Sequence, residues 1–91
     1  MTGKERAELR KEANTLTAIF QIGKDGLTVP LLQAIDAALT KRELVKLTVL
    51  ETCPEAPASC GSRIAEALEA EVIQAIGRKI VLYRQAPEEE K

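Results

Sequence analysis

The chain has 91 residues, of which 45% are hydrophobic, a formal net charge of −1 and no histidine. A chain of this length forms one domain with a single modest core, and the near-neutral charge argues against a strongly basic nucleic-acid binder. The lack of histidine removes the commonest general base and metal ligand, and with them most arrangements for nucleophilic, acid–base or metal catalysis. An enzyme is therefore the least favoured class.

The first predicted elements are a helix over residues 2–16 and a strand over residues 18–22. Thr2 and Glu5 have the spacing of a capping box, and apolar residues at positions 9, 13 and 16 recur at helical intervals. A neighbouring stripe of this helix carries two arginines and two uncharged polar residues, Arg6, Arg10, Asn14 and Thr17. The apolar segment AIFQI then predicts a strand that stops at Gly23.

A second helix and a second strand follow the segment GKDG, residues 23–26. Thr28 can cap the helix with Pro30 in its first turn, and apolar residues at positions 32, 35 and 39 form its predicted buried stripe. Residues 44–51 alternate between apolar and polar side chains, which is typical of a strand with one face in the core. The opposite face of this strand is then predicted to carry Lys46 and Thr48.

The rest of the chain predicts a loop, a short third helix and a β-hairpin. The loop is CPEAPASCG, and the helix carries Ile64 and Leu68 four residues apart. EVIQAI and KIVLYR predict two strands joined by a tight turn at Gly77 and Arg78. The order αβαβαββ predicts an α/β fold with a four-stranded mixed sheet, in which crossover helices join parallel strands and the hairpin adds one antiparallel strand. The domain is expected to span residues 1–86, and the acidic residues 87–91 to form a disordered tail.

The segment GKDG has two interpretations. It can be a plain turn, because Asp-Gly is a common turn dipeptide. It can also be a short glycine loop near a helix N-terminus, whose backbone N–H groups approach a phosphate backbone closely, as the GxxG loop of the KH module does on RNA. The spacing matches neither the phosphate loop of nucleotide-binding proteins nor the dinucleotide fingerprint.

A combination of three segments is specific to one family. The segments are LRKEANTLTAIFQIGKDGLT, IDAALTKRELVKL and VIQAIGRKIVLYR. Over residues 2–84 the chain resembles the CRM domain family, in particular its small bacterial single-domain members of the YhbY type. The resemblance implies a two-layer α/β fold similar to the C-terminal domain of translation initiation factor 3. It also implies RNA binding through the GxxG loop and a role in folding or assembling structured RNA, rather than catalysis.

The resemblance also implies which residues bind RNA. The loop residues are Gly23, Lys24, Asp25 and Gly26, and their basic or polar neighbours are Arg10, Thr17, Arg78 and Arg84, with Lys79 as a weaker candidate. Many family members have Lys-Pro where this chain has Thr17-Ala18, which removes a cation beside the loop. Phe20 and Tyr83 are the two aromatic residues, and both fall in predicted apolar strands. Recognition of RNA backbone and shape is therefore expected, rather than base stacking.

The resemblance further implies that the partner is RNA, in particular ribosomal RNA in precursors of the large subunit. The protein is expected to be a cytoplasmic monomer with no cofactor and no membrane association, since the sequence contains no long apolar run and no secretory signal. The rival interpretation is a protein–protein adaptor, in which the acidic third helix and the exposed sheet face recruit a partner and GKDG is only a turn.

Two cysteines, Cys53 and Cys60, frame the predicted loop. Their spacing matches neither a CxxC redox motif nor a zinc site with four ligands. They are expected to be reduced thiols, and no metal site is expected.

Overall fold

The computed structural model describes residues 2–85, which form three helices and four strands. In chain order these are α1 (Gly3–Ala13), β1 (Phe20–Ile22), α2 (Val29–Arg42), β2 (Leu44–Val49), α3 (Pro57–Leu68), β3 (Glu71–Ile76) and β4 (Lys79–Tyr83). The predicted α/β fold with a four-stranded mixed sheet is confirmed. The predicted acidic tail, residues 87–91, lies outside the described residues. None of the helices in the described part of the chain has the length and apolar character needed to cross a membrane.

The sheet brings three connecting segments together at one end. The strand order is β1-β2-β4-β3, with β1 parallel to β2 and with β4 antiparallel to both β2 and β3. Because β1, β2 and β3 run in the same direction, their C-terminal ends meet. The segments that leave these ends are the GKDG turn (residues 23–26), the turn of residues 50–54 and the tip of the β3–β4 hairpin (residues 77–78). We call this the GKDG end of the sheet.

Helices pack on both faces of the sheet. On one face α2 and α3 enclose the larger core, in which Ile35, Leu39 and Ile64 are fully buried. On the opposite face α1 contributes to a smaller core, in which Ala13 clusters with Ile73 of β3. Each fully buried aliphatic side chain of this size contributes about 1.5–3 kcal/mol, so the larger core is the main source of stability.

Helix α1 begins as predicted but ends earlier. Its capping box is present, since the Glu5 N–H donates to Thr2 Oγ1 at 3.1 Å and the Thr2 N–H donates to Glu5 Oε1 at 2.9 Å. The prediction that the helix extends to residue 16 is wrong. The hydroxyl and the N–H of Thr15 both donate to the Glu12 carbonyl, at 2.8 and 3.1 Å, and they end the helix after Ala13.

The first two strands are shorter than predicted. β1 starts at Phe20 rather than at residue 18, although the Ile19 N–H already donates to the Lys46 carbonyl at 2.9 Å. β2 ends at Val49 rather than at residue 51 because a turn follows it. In this turn the Cys53 N–H donates to the Leu50 carbonyl at 3.0 Å. The alternation of β2 is confirmed, with Val45, Leu47 and Val49 buried and Lys46 and Thr48 partly exposed.

The prediction for α2 is confirmed and that for α3 is wrong at its start. Thr28 caps α2, its Oγ1 accepting from the Leu31 N–H at 3.3 Å. Helix α3 starts at Pro57, inside the segment predicted to be a loop. Proline fits the first position of a helix, where its missing N–H would have no helical partner, so the residue that suggested a loop is part of a helix start.

Candidate nucleic-acid interface

The GKDG segment is a tight turn at the C-terminal end of β1. The Gly26 N–H donates to the Gly23 carbonyl at 3.0 Å, which places Lys24 and Asp25 at the two central positions. Gly26 has a φ of +68°, in the left-handed region that favours glycine. The interpretation as a turn therefore describes the geometry correctly, and the second glycine is explained by its backbone conformation.

The tip of this turn leaves donors and charges available. Lys24 and Asp25 are exposed, and within the described part of the chain neither their side chains nor their backbone N–H groups bond to another protein group. The N-terminus of α2 adds little, because the Leu31 N–H is taken by the cap and Pro30 has no N–H. Two backbone donors and one ammonium group thus lie at the tip, beside one carboxylate.

The turn of residues 50–54 lies against the GKDG turn, on the side away from its exposed tip. A Cβ added to Gly23 would lie 3.6 Å from Leu50 Cδ1 and from Thr52 Oγ1. A Cβ added to Gly26 would lie 3.8 Å from Pro54 Cγ. Both glycines therefore face this supporting turn, and the surface open to a ligand is the tip between them.

Arg78 lies at the hairpin tip, next to the supporting turn. Its carbonyl accepts from the Val49 N–H at 2.8 Å, and its guanidinium Nη1 lies 3.4 Å from the carbonyls of Val49 and Leu50. Because a guanidinium has five N–H donors and this residue is exposed, donors remain for a ligand. The structure thus places Arg78 at the same end of the sheet as the predicted loop.

The uncovered part of the sheet face on the α1 side is basic. Gln21, Thr48 and Lys79 lie opposite one another across β1, β2 and β4, and Lys46 lies two residues before Thr48 on the same face. The ammonium group of Lys79 donates to Thr48 Oγ1 at 3.0 Å. We call these four residues the basic sheet face. In the described strands the only carboxylate is that of Glu71, at the far end of β3.

Sequence reasoning did not group these residues into one face. Lys79 was a weaker candidate, and Lys46 was only an exposed residue of β2. The alternation of β2 does place Lys46 away from the core, but its neighbours depend on how β2 pairs with β4. In that pairing Thr48 lies opposite Lys79 and Lys46 lies opposite Val81, which brings the two lysines onto adjacent rows.

Arg10 lies at the margin of the basic sheet face. Its Nε donates a long hydrogen bond of 3.5 Å to the Ile73 carbonyl of β3. The row that contains Lys79 lies three residues further along β3, at Ile76, which corresponds to about 10 Å. The structure therefore brings Arg10 near the predicted site without placing it at the loop.

Neither Thr17 nor Arg84 lies at the GKDG turn. Since α1 ends at Ala13, Thr17 does not share a helical stripe with Arg10, and the predicted stripe is wrong at this residue. Thr17 is exposed and precedes β1, six residues before Gly23, at the opposite end of that strand.

Arg84 follows β4 at the opposite end of the sheet from the GKDG turn. Its Nη1 donates to Asp36 Oδ1 at 2.7 Å and to the Leu68 carbonyl at 2.9 Å. Its Nη2 donates to the Asp36 carbonyl and to Thr40 Oγ1, both at 2.9 Å. The guanidinium therefore joins α2 to the end of α3, and it has a clear structural role.

Carboxylates gather at this opposite end. An open groove there is lined by five glutamates, Glu5, Glu8, Glu12, Glu69 and Glu71. Tyr83 also lines it, and the pKa of its hydroxyl is raised by burial and then by the charges of Glu43, Glu5 and Glu71. The groove, which Arg84 also lines, is therefore predominantly acidic, and it lies at the end of the sheet opposite the GKDG turn.

Neither aromatic ring is available as a stacking platform on the basic sheet face. Phe20 packs against the larger core, and Tyr83 packs against the smaller one near the acidic groove.

Cys53 and Cys60 are free thiols whose Sγ atoms lie 3.6 Å apart. Cys60 is fully buried, and burial with the hydrogen bond to Cys53 raises the pKa of its thiol to about 12. Residues 2–85 contain no group of three or more cysteine, aspartate or glutamate side chains arranged to hold a metal ion.

Comparison with known proteins identifies the family. The sequence profile of the CRS1 / YhbY (CRM) domain matches residues 1–84. The chain is 38% identical over 88 residues to the probable RNA-binding protein YqeI of Bacillus subtilis, covering 97% of this chain and 92% of that protein. It is 32% identical over 88 residues to an RNA-binding protein of Haemophilus influenzae, covering 97% and 89% of the two chains.

A solved structure agrees with this assignment. The solution structure of a Staphylococcus aureus protein, described as a candidate RNA-binding protein, superposes with a TM-score of 0.80 at 37% identity and covers 99% of this chain and 94% of that one. The names of these relatives are those of RNA-binding proteins and not of enzymes. The extent of the profile match and the similarity of sequence and fold show that the chain belongs to the CRM domain family.

Proposed function

We propose that this protein binds structured RNA with the tip of the GKDG turn, Arg78 and the basic sheet face, and that it does so without catalysis. We further propose that it acts as a monomer in the cytoplasm, as an assembly factor for the large ribosomal subunit. Membership of the CRM family and the names of the relatives support RNA as the partner. The resemblance to the small YhbY-type members supports the ribosomal role.

The separation of charge is the observation that carries the proposal. Lys24, Arg78 and Lys79 lie at or beside one end of the sheet, and Lys46 is on the adjoining face. The five glutamates of the acidic groove lie at the other end. A near-neutral protein can bind a polyanion when several of its cations share one surface, because local potential rather than net charge governs the contact.

The chemistry of this surface favours contacts with the RNA backbone. It offers two backbone N–H groups at Lys24 and Asp25, the guanidinium of Arg78 and the ammonium groups of Lys46 and Lys79. These groups suit phosphate oxygens and ribose hydroxyls. With no aromatic ring on this face, specificity is expected to come from the shape of a folded RNA rather than from stacking on splayed bases.

The predicted site residues enter the proposal with different weights. Gly23 and Gly26 shape the turn, and Arg10 extends the contact surface at its margin. Thr17 can contact RNA only if the RNA extends past the N-terminal end of β1. The structural bonds of Arg84 make it a weaker candidate than Lys79 or Lys46.

Cross-linking in cells followed by sequencing of the bound RNA tests the partner, and a peak in large-subunit ribosomal RNA is expected. Binding of a transcript from that peak then tests the surface as a function of salt. Removing one phosphate contact with Lys24→Gln or Lys79→Gln should lower the magnitude of the slope of log Kd against log salt by roughly 0.7–0.9. Asp25→Asn should tighten binding, because it removes the carboxylate from the tip.

Lys41→Gln is the matched control, because Lys41 is an exposed lysine in the last turn of α2, at the opposite end of the sheet. It should leave the salt slope unchanged. Equal slopes for all lysine variants would refute the proposed surface. If no RNA is cross-linked and a protein is captured instead, with capture lost on substitution of Glu66 in α3, the adaptor interpretation would replace RNA binding.

A further inference from the structure

We propose that Cys53 and Cys60 are an oxidisable dithiol, and that closing it to an intrachain disulfide displaces the turn that supports GKDG. The expected consequence for RNA binding rests on the proposed function; the disulfide and the displacement do not. The two Sγ atoms are already 3.6 Å apart, and a disulfide bond is about 2.05 Å long. Closure therefore needs an approach of only about 1.5 Å.

The two thiols differ in access. Cys53 is partly exposed in the turn of residues 50–54, where a small oxidant can reach it. Cys60 is fully buried in the first part of α3. An oxidant is thus expected to meet Cys53 first, with Cys60 positioned beside it as the resolving thiol.

Closure is expected to move the supporting turn rather than α3. The residue after Cys60 is Gly61, where an added Cβ would lie 3.1 Å from Ile80 Cγ2. Helix α3 is therefore seated against β4 at closest approach and has no room to shift towards the sheet. The turn that carries Cys53 is exposed at residues 51, 52 and 54, so it is the part expected to move.

Contacts link Cys53 to the GKDG turn over a short distance. The Cys53 N–H donates to the Leu50 carbonyl at 3.0 Å, and the Leu50 N–H donates to the Ile22 carbonyl at 2.8 Å, directly before GKDG. Pro54, the neighbour of Cys53, provides the atom that would lie closest to a Cβ added to Gly26. A shift of Cys53 towards α3 therefore changes the surface on which the GKDG turn rests.

The chemistry balances with a low-molecular-weight disulfide such as oxidised glutathione as the oxidant. The Cys53 thiolate attacks one glutathione sulfur, forming a mixed disulfide and releasing one glutathione thiolate. The Cys60 sulfur then attacks Cys53 Sγ, its proton passing to a departing glutathione thiolate. Two protein thiols are oxidised to one disulfide, and one glutathione disulfide is reduced to two thiols.

The test treats the full chain with oxidised or reduced glutathione and applies two readouts that do not involve RNA. Mass spectrometry should show loss of two hydrogens and no retained glutathione in the wild type. Cys60→Ser should instead retain one glutathione on Cys53. Amide resonances of Gly23 to Gly26 in a ¹⁵N spectrum should shift on oxidation, and that of Lys41, in the last turn of α2 at the opposite end of the sheet, should not.

Two outcomes would overturn the inference. One is a wild type that stays reduced or stops at the mixed disulfide. The other is a disulfide that forms while the GKDG amides keep their positions. RNA affinity is measured last on the two forms, and the disulfide should weaken it by roughly 10- to 150-fold, the effect of losing about one hydrogen bond to phosphate. If neither form binds RNA, the proposed function fails, whereas the shifted amides still support the dithiol.

Discussion

Gly26→Ala tests why the second glycine of GKDG is needed. Its φ of +68° lies in the left-handed region, where a Cβ costs about 1–2 kcal/mol. Steric contact adds nothing to this cost, because the atom nearest to an added Cβ is Pro54 Cγ at 3.8 Å, an ordinary van der Waals distance. In a domain of this size each kcal/mol lowers Tm by about 4–8 °C, so Tm should fall by about 4–16 °C.

Gly23→Ala is the matched control, and it should change stability in the opposite direction. Gly23 has no positive φ, and an added Cβ would meet Leu50 Cδ1 and Thr52 Oγ1 at 3.6 Å. At such a position alanine stabilises by about 0.4–1 kcal/mol, because the unfolded chain loses conformational freedom. RNA affinity should be unchanged, since the new methyl group points towards residues 50 and 52 rather than towards the tip.

Thermal unfolding followed by circular dichroism measures the first effect, and a gel-shift assay measures the second. Equal Tm values for Gly26→Ala and Gly23→Ala would refute the conformational explanation. A Gly23→Ala protein that is fully stable but does not bind RNA would also refute it. In that case RNA binding would require the absence of a side chain at position 23, and not a particular backbone conformation.

Arg84→Lys should lower the free energy of unfolding by about 1–3 kcal/mol in urea titrations, because an ammonium group cannot replace the forked bonds to Asp36. The same substitution should leave the salt slope of RNA binding unchanged. Gln21→Lys should tighten RNA binding and raise the magnitude of the salt slope by roughly 0.7–0.9. Thr17→Lys should raise the slope by less, and equal slopes for the two variants would contradict the proposed position of the RNA-binding surface. Burial raises the pKa of the Cys60 thiol to about 12, so the folded state keeps a proton that the unfolded state loses above roughly pH 9. The free energy of unfolding should therefore fall more steeply from roughly pH 9 to 12 in the wild type than in Cys60→Ala, and parallel curves would contradict this.

The elements that sequence predicted best are those fixed by local chemistry. The cap at Thr28 and the alternation of β2 depend on neighbouring residues alone, and both are confirmed. The end of α1 was predicted wrongly because Leu16 keeps helical spacing with Leu9 and packs in the same cluster, although the chain between them has left the helix. Apolar spacing records which side chains are buried, and it does not record the hydrogen bonds of Thr15 that end the helix.

The geometry of the candidate site was predictable at its turn but not across its surface. The spacing of GKDG identified the turn, and its position between a strand and a helix followed from the element order. The partners of the basic residues did not follow, because they depend on strand pairing and on contacts distant in sequence. Arg84 reaches Asp36, 48 residues away, whereas Lys79 meets Thr48 across the β2–β4 pair. The family resemblance ranked Arg84 above Lys79, and the structural bonds of Arg84 are the reason that our proposal reverses that order.

The separation of charge makes a prediction about low salt that net charge alone does not. β2 runs from the acidic groove end to the GKDG end, and its six residues span about 17 Å. This is about two Debye lengths at physiological ionic strength, so there the glutamates of the groove hardly oppose RNA. At about 0.01 M salt the Debye length is about 30 Å, and the same glutamates should repel RNA from the whole domain.

A plot of log Kd against log salt should therefore be linear near physiological salt and flatten towards 0.01 M. Replacing both Glu8 and Glu12, two exposed residues of α1, with glutamine should restore linearity. A plot that is linear at all salt concentrations and unchanged by the double substitution would show that the groove has no influence on the RNA, and that separation of charge is not what allows an acidic chain to bind it.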